Sequence, residues 1–379
     1  PETDQKLFPN DITEEDNVKK HLCASAIALV SAPGVQADTL ADAFRNGTVS
    51  GDLNLFYKNM DNSGGADQAY GTGFLGFKYE TAPFNNLQLG LALRHGSEAY
   101  EQNGGDSDEG VGTLLTEAYI SYQGNGLGLV AGRQAIDLEW VADYHEAVTL
   151  TSSALPNTEL TAGYSRSLAV ADEDDLQHSF SDIGDDGAWF LDGRITPIEG
   201  LSLNPYYLHA NDIFSGIGLK AELEHESGFG LTAHYAASDV DVAGEQDGDI
   251  LHLEVRGSLG VLALAAGYIA TDEQGGIGHL DEMGENINPL EEGNQVYVAD
   301  AKTWYLGAGY ELGKASFGLL YGDSNYAGNA GERELDMTFS YDLGAVAENL
   351  SIGLVYAKID ADSSANDYDK ATLMFSYTF

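Results

Sequence analysis

Nine histidines, one cysteine and 61 acidic side chains are the groups in this 379-residue chain that could do chemistry. The histidines show no metal-ligand spacing: there is no H-x-x-x-H pair, and Cys23 is too remote to complete a zinc set. His145 and Glu146 beside Asp143, and His95 near Glu98, offer acid–histidine pairs of the kind a hydrolase uses. Neither is accompanied by a recognisable nucleophile motif, so catalysis has no seat. The D-E-D-D run at Asp172–Asp175 and S-D-I-G-D-D at Ser181–Asp186 present hard oxygen ligands for Ca²⁺, but without the twelve-residue spacing of an EF-hand. Solvated charge that keeps loops apart is the simpler reading of both. His225, His234 and His252 fall on segments of alternating hydrophobicity and read as wall residues. Gly71, Gly73 and Gly76, with Gly307 and Gly309, permit bending and are not phosphate loops, since no strand-to-helix context follows them. No cofactor is expected. What remains is electrostatics: charged residues set at alternate positions along the chain.

Those residues are Lys58, Lys78, Arg94, Glu117, Asp192, Arg194, Lys220, Glu222, Glu224, Glu254, Arg256 and Asp336, each alternating with apolar neighbours. A strand turns successive side chains to opposite faces, so each shares a face with other polar groups. The pattern recurs in eighteen segments of about eight to twelve residues, from Val49–Asn59 to Lys370–Phe379, a length that crosses a bilayer at a tilt. Two segments alternate weakly, Leu127–Gln134 and His145–Ser152; without them sixteen remain. The last segment, K-A-T-L-M-F-S-Y-T-F, places Phe375, Tyr377 and Phe379 on one face. It resembles the closing strand of bacterial outer-membrane barrels, which doubles as their assembly signal.

The connections sort by parity. With both termini on one side, even connections such as 81–86, 124–126 and 313–314 are short, and every long one, 96–111, 168–188 and 272–301 among them, is odd. A soluble sandwich has no reason to sort its loops so, whereas outer-membrane barrels have short turns on one side and long loops on the other. Charge follows length: 96–111 holds five acids, 168–188 seven and 272–301 eight, with no Lys or Arg in any. Arg166, Lys302, Arg333 and Lys358 share a face with apolar residues near loop ends, where long side chains can snorkel to the interface. Trp189, Trp304, Tyr305, Tyr310, Tyr356 and Tyr377 lie near strand ends, as aromatic girdles require. The fold expected is all-β, a transmembrane antiparallel β-barrel with long acidic external loops.

Residues 18–37 read as an export signal, with Lys19 and Lys20 before an apolar run from Leu22 to Val30 and Val35-Gln36-Ala37 as the cleavage site. Val18 is then the expected start and residues 1–17 an upstream extension, leaving 38–379 as one barrel domain. Cys23 leaves with the signal, which suits an oxidising envelope. Six acids and three bases leave with residues 1–37, so the net charge of −44 becomes −41, which opposes nucleic acid as a partner. After the signal no run of about 18 apolar residues provides a helical span.

Several stretches resemble the OprD-like porin family, which includes the major porins of epsilonproteobacteria. They are A-D-T-L-A-D-A-F-R-N-G-T-V-S-G-D-L (Ala37–Leu53), G-F-K-Y-E-T-A-P-F (Gly76–Phe84), T-E-A-Y-I-S-Y (Thr116–Tyr122), A-G-R-Q-A-I-D (Ala131–Asp137), L-P-N-T-E-L-T-A-G-Y (Leu155–Tyr164) and the terminal S-Y-T-F. The resemblance implies an eighteen-stranded, often trimeric channel for small hydrophilic solutes, with its third and seventh external loops folded inward. Two departures limit what carries over. The basic ladder of the family's amino-acid-selective members is missing, with only Lys220 central in depth. The segment after Ala131–Asp137 is also short, so an inward constriction by residues 135–144 is not carried over. The expected partners are outer-membrane lipid and lipopolysaccharide, the barrel-assembly machinery and small solutes. The expected function is passive diffusion with a modest cation preference; the rival is a surface-binding, adhesive barrel with little or no conduction.

Overall fold

The structure is a computed structural model describing residues 36–326, 328 and 330–379. The expected extension, and the export signal up to residue 35, lie outside these residues.

Among the described residues a short helix α1 (Leu40–Arg45) precedes eighteen wall strands. These are β1 (Thr48–Asn62), β2 (Gln68–Glu80), β3 (Leu87–Glu101), β4 (Gly112–Gly124), β5 (Leu127–Ala135), β6 (Tyr144–Ser152), β7 (Thr158–Ala169), β8 (Ala188–Ile198) and β9 (Leu201–Ala210). The second half continues with β10 (Phe214–His225), β11 (Phe229–Val240), β12 (Gly248–Leu259), β13 (Leu262–Thr271), β14 (Lys302–Leu312), β15 (Ala315–Tyr326), β16 (Ala330–Asp342), β17 (Leu350–Ala361) and β18 (Tyr368–Thr378). A two-residue strand, Ser181–Asp182, pairs with the end of β7. Both weakly alternating segments are therefore strands.

Each wall strand pairs antiparallel with its sequence neighbours, and β1 closes on β18 in a register running from Asp52↔Thr378 to Asn62↔Tyr368. Phe379 completes the seam, exchanging N–H···O bonds of 3.0 Å with Gly51 in both directions. A closed sheet has no unpaired edge, which is what permits a backbone to sit in hydrocarbon. Along β1, Leu55 on the outer face is 62% exposed while its neighbour Asn54 on the inner face is 2% exposed. Apolar side chains line the outer face all round, including Leu91, Leu150, Leu191, Ile217, Leu253, Leu306 and Leu319.

The connections 102–111, 136–143, 170–187 and 272–301, the four longest, all leave one rim. The other rim carries tight turns. Between β4 and β5, Asn125 (φ 54°) and Gly126 (φ 74°) both adopt positive φ, the two-residue hairpin turn whose twist matches that of the strands. α1 sits at this turn rim, capped by Thr39, with the Ala82 amide donating to Ala43 O (2.9 Å).

The hydrophobic core is inside the barrel and is made largely by loops. Ile136, Trp140 and Val141 from 136–143, Ile183 from 170–187, and Ile277, Leu280, Met283, Ile287, Leu290 and Val296 from 272–301 pack on apolar inner-wall residues such as Phe190, Leu208, Phe214 and Ile269. Within it, inner-face glycines make room for aromatic rings of an adjacent strand. A Cβ on Gly218 would strike the Tyr206 ring, and one on Gly267 the Tyr305 ring.

Candidate functional site

Among the described residues, three loops enter the barrel, the third, fourth and seventh at the loop rim: L3 (136–143), L4 (170–187) and L7 (272–301). The third and seventh loops fold inward as the resemblance implies, and the shortness of 135–144 does not keep L3 out of the barrel. L3 is short, but its I-D-L-E-W-V segment is too apolar to stay in water, and the barrel interior takes it up. Each loop docks on its own sector of the wall at mid-strand depth.

L3 docks on β9–β11. Trp140 is fully buried, and its Nε1 donates to the Tyr206 hydroxyl at 2.9 Å, which meets His234 Nε2 at 2.7 Å. Trp140 holds this pose at φ 59°, a left-handed backbone that a bulky residue adopts only under constraint. Glu139 beside it reaches Lys220 Nζ at 3.2 Å and accepts from Asn286 Nδ2 of L7 at 2.6 Å. Burial alone would raise the Glu139 carboxyl, but Lys220, His234 and the Asn286 hydrogen bond more than offset it and hold it below the usual range. The Ala142 amide donates to Met283 O (3.0 Å), and the Trp140 and Tyr297 rings lie 5.8 Å apart, so L3 and L7 form one body.

L7 crosses the lumen to β16 and β18. The Glu291 amide donates to Asp336 Oδ2 (3.1 Å), and the amides of Glu292 and Gly293 donate to the Glu334 carboxylate (2.7 and 2.9 Å). Lys370, 3% exposed, lies 2.9 Å from the Glu291 carboxylate and also pairs with Glu292, which Tyr368 supports with a 2.8 Å hydrogen bond.

L4 docks on β1–β3. Asn54 Nδ2 donates to Glu173 Oε1 (2.6 Å), Thr72 Oγ1 to Glu173 O (3.2 Å), and Lys58 pairs with Asp174 (3.4 Å). The D-E-D-D run is therefore not solvated charge: Asp172, Glu173 and Asp174 are buried against the wall, because Lys58 and Arg94 stand there. The Ser181–Asp186 run stays near the rim, where Asp182 pairs with Arg166.

Burial pushes the Glu173 carboxyl up to about 7; Arg94 pulls it down, and Asp52 and Asp174 push it up. The docked loop holds a proton that the free loop would release near the ordinary carboxyl value, so docking is strongest in acid and weakens as pH rises from about 4.5 through 7. L4 is expected to show more protease cleavage and conductance noise at pH 8 than at pH 6, and Glu173→Gln to abolish the difference. An equal pH response in the variant would refute this role.

The sequence-derived charged residues all lie on the inner side of the wall. Lys78 meets Glu117 at 3.0 Å; Arg94 lies 3.7 Å from Asp52 and over the Phe74 ring. Asp192 accepts from Asn204 (2.8 Å), and Arg194 donates to Asp137 O of L3 (2.8 Å). Lys220 lies between Glu139 and Glu222; Arg256 pairs with Glu224 and with Glu254 at 3.3 Å; Asp336 anchors L7. Phe375 and Phe379 are on the outer face, with Tyr377 stacked beside Phe379. Sequence reasoning missed Asn54, Glu139, Trp140, Tyr206, Glu334 and Lys370, and took Glu173 for solvated charge. Tyr305, expected in a girdle, points inward and donates to Glu254 Oε2 (2.6 Å), because the single-residue alternation puts Trp304, not Tyr305, outside. The rim histidines are structural: His145 is held by Ser165 Oγ (2.8 Å) and Ala142 O (2.7 Å), and His95 by Thr113 Oγ1 (2.7 Å).

The fold has counterparts. Residues 24–379 match the sequence profile described as Gram-negative porin. Among solved structures, Pseudomonas aeruginosa OccK9 (OpdG) aligns with a TM-score of 0.75 at 17% identity, covering 89% of this chain and 99% of its own. Pseudomonas aeruginosa OpdQ aligns at 0.72 and 18%, covering 88% and 99%. A double variant of OccD1 (OprD) aligns at 0.70 and 15%, covering 89% and 96%. No curated protein matches the chain significantly in sequence.

Proposed function

We propose that this chain, which belongs to the Gram-negative porin family, is a cation-preferring diffusion channel narrowed by three loops. That it is an outer-membrane β-barrel channel for small solutes follows from the family and the fold together; the charge preference and the site of narrowing are our reading. The observation that supports it best is the placement of acids. Glu332, Glu334, Asp336, Glu117, Asp192 and Glu254 are on the inner wall, and L3, L4 and L7 bring Glu139, Asp174, Glu291 and Glu292 to mid-depth. Fixed negative charge at a water-filled constriction raises local cation concentration and repels anions, less so at high salt.

No covalent step is involved in such transport. Loops that fill much of the cross-section set the size limit, and charged rims set relative rates. The outer face makes contact with lipid, and lipopolysaccharide phosphates are the natural neighbours of Arg166, Lys302, Arg333 and Lys358 at the loop rim. Assembly through the terminal Phe379 strand and association into trimers belong to the same proposal. The test is the zero-current potential of the purified protein in a planar bilayer under a KCl gradient. A potential of cation sign that shrinks as salt is raised supports the reading; one of anion sign rejects it. A surface-binding barrel with a filled interior would conduct nothing.

A further inference from the structure

Among the described residues, three inner-wall lysines each meet a carboxylate delivered by a different loop. Lys58 on β1 meets Asp174 of L4 at 3.4 Å, Lys220 on β10 meets Glu139 of L3 at 3.2 Å, and Lys370 on β18 meets Glu291 of L7 at 2.9 Å. Other inner-wall bases find acids within the wall itself: Lys78 with Glu117, and Arg256 with Glu224 and Glu254, while Arg94 has Asp52 of the wall as well as the field of Glu173 from L4. The distinction matters for permeation. A wall pair is fixed by strand register, whereas the charge of a loop-capped lysine depends on where the loop sits.

We propose that Glu139 is the specificity-determining residue of the channel, cancelling Lys220 and so removing the positive charge an anionic solute would meet at mid-depth. Three features single it out. Its carboxylate is fixed from several sides, by Lys220, by Asn286 Nδ2 at 2.6 Å and by His234 Nδ1 at 3.9 Å, and the strained Trp140 backbone next to it locks its direction. Lys220 retains a fifth of its side-chain surface, so it borders the open path rather than lying sealed behind the loop. Lys220 also has Glu222 at 3.6 Å, so two acids face one base. A solute carboxylate arriving there finds its place taken by the chain's own, while a solute ammonium finds negative charge in excess. Because Glu139 also clasps L7, the same residue couples charge preference to loop position.

The inference rests on the channel reading, and the experiment separates the two. Zero-current potentials are measured for the wild type, Glu139→Gln, Lys220→Gln and the double variant, each checked for the compact, heat-modifiable migration of a folded barrel. Removing one unit charge beside the ion path is expected to lower the K⁺/Cl⁻ permeability ratio about fivefold in Glu139→Gln. Lys220→Gln is expected to raise the ratio by a comparable factor, and the double variant to return within about twofold of the wild type, since net charge is restored. A ratio unchanged in Glu139→Gln, or a double variant that keeps the Glu139→Gln ratio, overturns the assignment. If Glu139→Gln does not fold, Lys220→Gln decides alone: a higher ratio supports the assignment and an unchanged one overturns it. Wild-type protein that conducts nothing removes the channel reading and this inference with it, whereas conduction indifferent to residue 139 removes the inference alone.

Discussion

Trp140→Ala is expected to raise single-channel conductance severalfold while leaving the barrel closed. The indole is fully buried where L3, L7 and the inner wall meet, beside Tyr297 and His234 and hydrogen-bonded to Tyr206. Truncating a buried Trp costs about 3–5 kcal/mol. The loss falls on loop docking rather than on the strand ladder, because the eighteen strands are held by their own backbone hydrogen bonds. L3 should therefore lift and L7 loosen with it. Backbone strain offers a finer check. At φ 59° alanine keeps the strain and glycine does not, so Trp140→Gly should dock its loop better than Trp140→Ala by about 1 kcal/mol despite removing more atoms. Bilayer conductance, with protease sensitivity of 136–143 as the structural readout, checks both. Wild-type conductance in Trp140→Ala would mean that L3 does not narrow the path.

The second large effect is expected from Lys370→Met. Lys370 is nearly sealed from solvent beside Glu291 and Glu292, on a wall that also presents Glu334 and Asp336 to the tip of L7. Removing one member of a buried ion pair costs about 3–5 kcal/mol, because the remaining charges stay buried without compensation. Here several carboxylates are left facing one another, so the tip of L7 should detach from β16 and β18. The expected result is protease cleavage within 285–298, a larger conductance, and a wild-type pattern in Lys370→Arg, which keeps the charge. Resistance to cleavage in Lys370→Met would show that the apolar contacts of Leu290 and its neighbours hold the loop unaided.

The wall was legible because its signals are local. Period-two alternation, the Asn125-Gly126 turn, the sorting of loop length by parity and the aromatic end at Phe375, Tyr377 and Phe379 each depend on a few neighbouring residues. The interior was less so, because it is built by residues far apart in sequence. Alternation assigns apolar residues to lipid, yet Phe190, Tyr206, Leu208, Ile269 and Tyr305 face inward, since loops arrive to cover them. A signal was present in the loops themselves. Ile136, Trp140 and Val141, and Ile277, Leu280, Met283, Ile287 and Leu290, are apolar residues within acidic loops, and a loop that stays in water has no use for them. The acids misled in the same way. Glu173 and Asp174 read as solvated until Asn54 and Lys58, more than a hundred positions earlier, are brought opposite them by barrel closure.

Swelling of proteoliposomes in a graded series of neutral sugars tests most directly whether a hydrated path runs past the three docked loops. We expect uptake that is measurable for the smallest sugars, falls steeply with size, and extends to larger sugars once Trp140→Ala or Lys370→Met frees a loop. Liposomes carrying folded protein that fail to swell in even the smallest sugar, with or without those substitutions, would contradict the account.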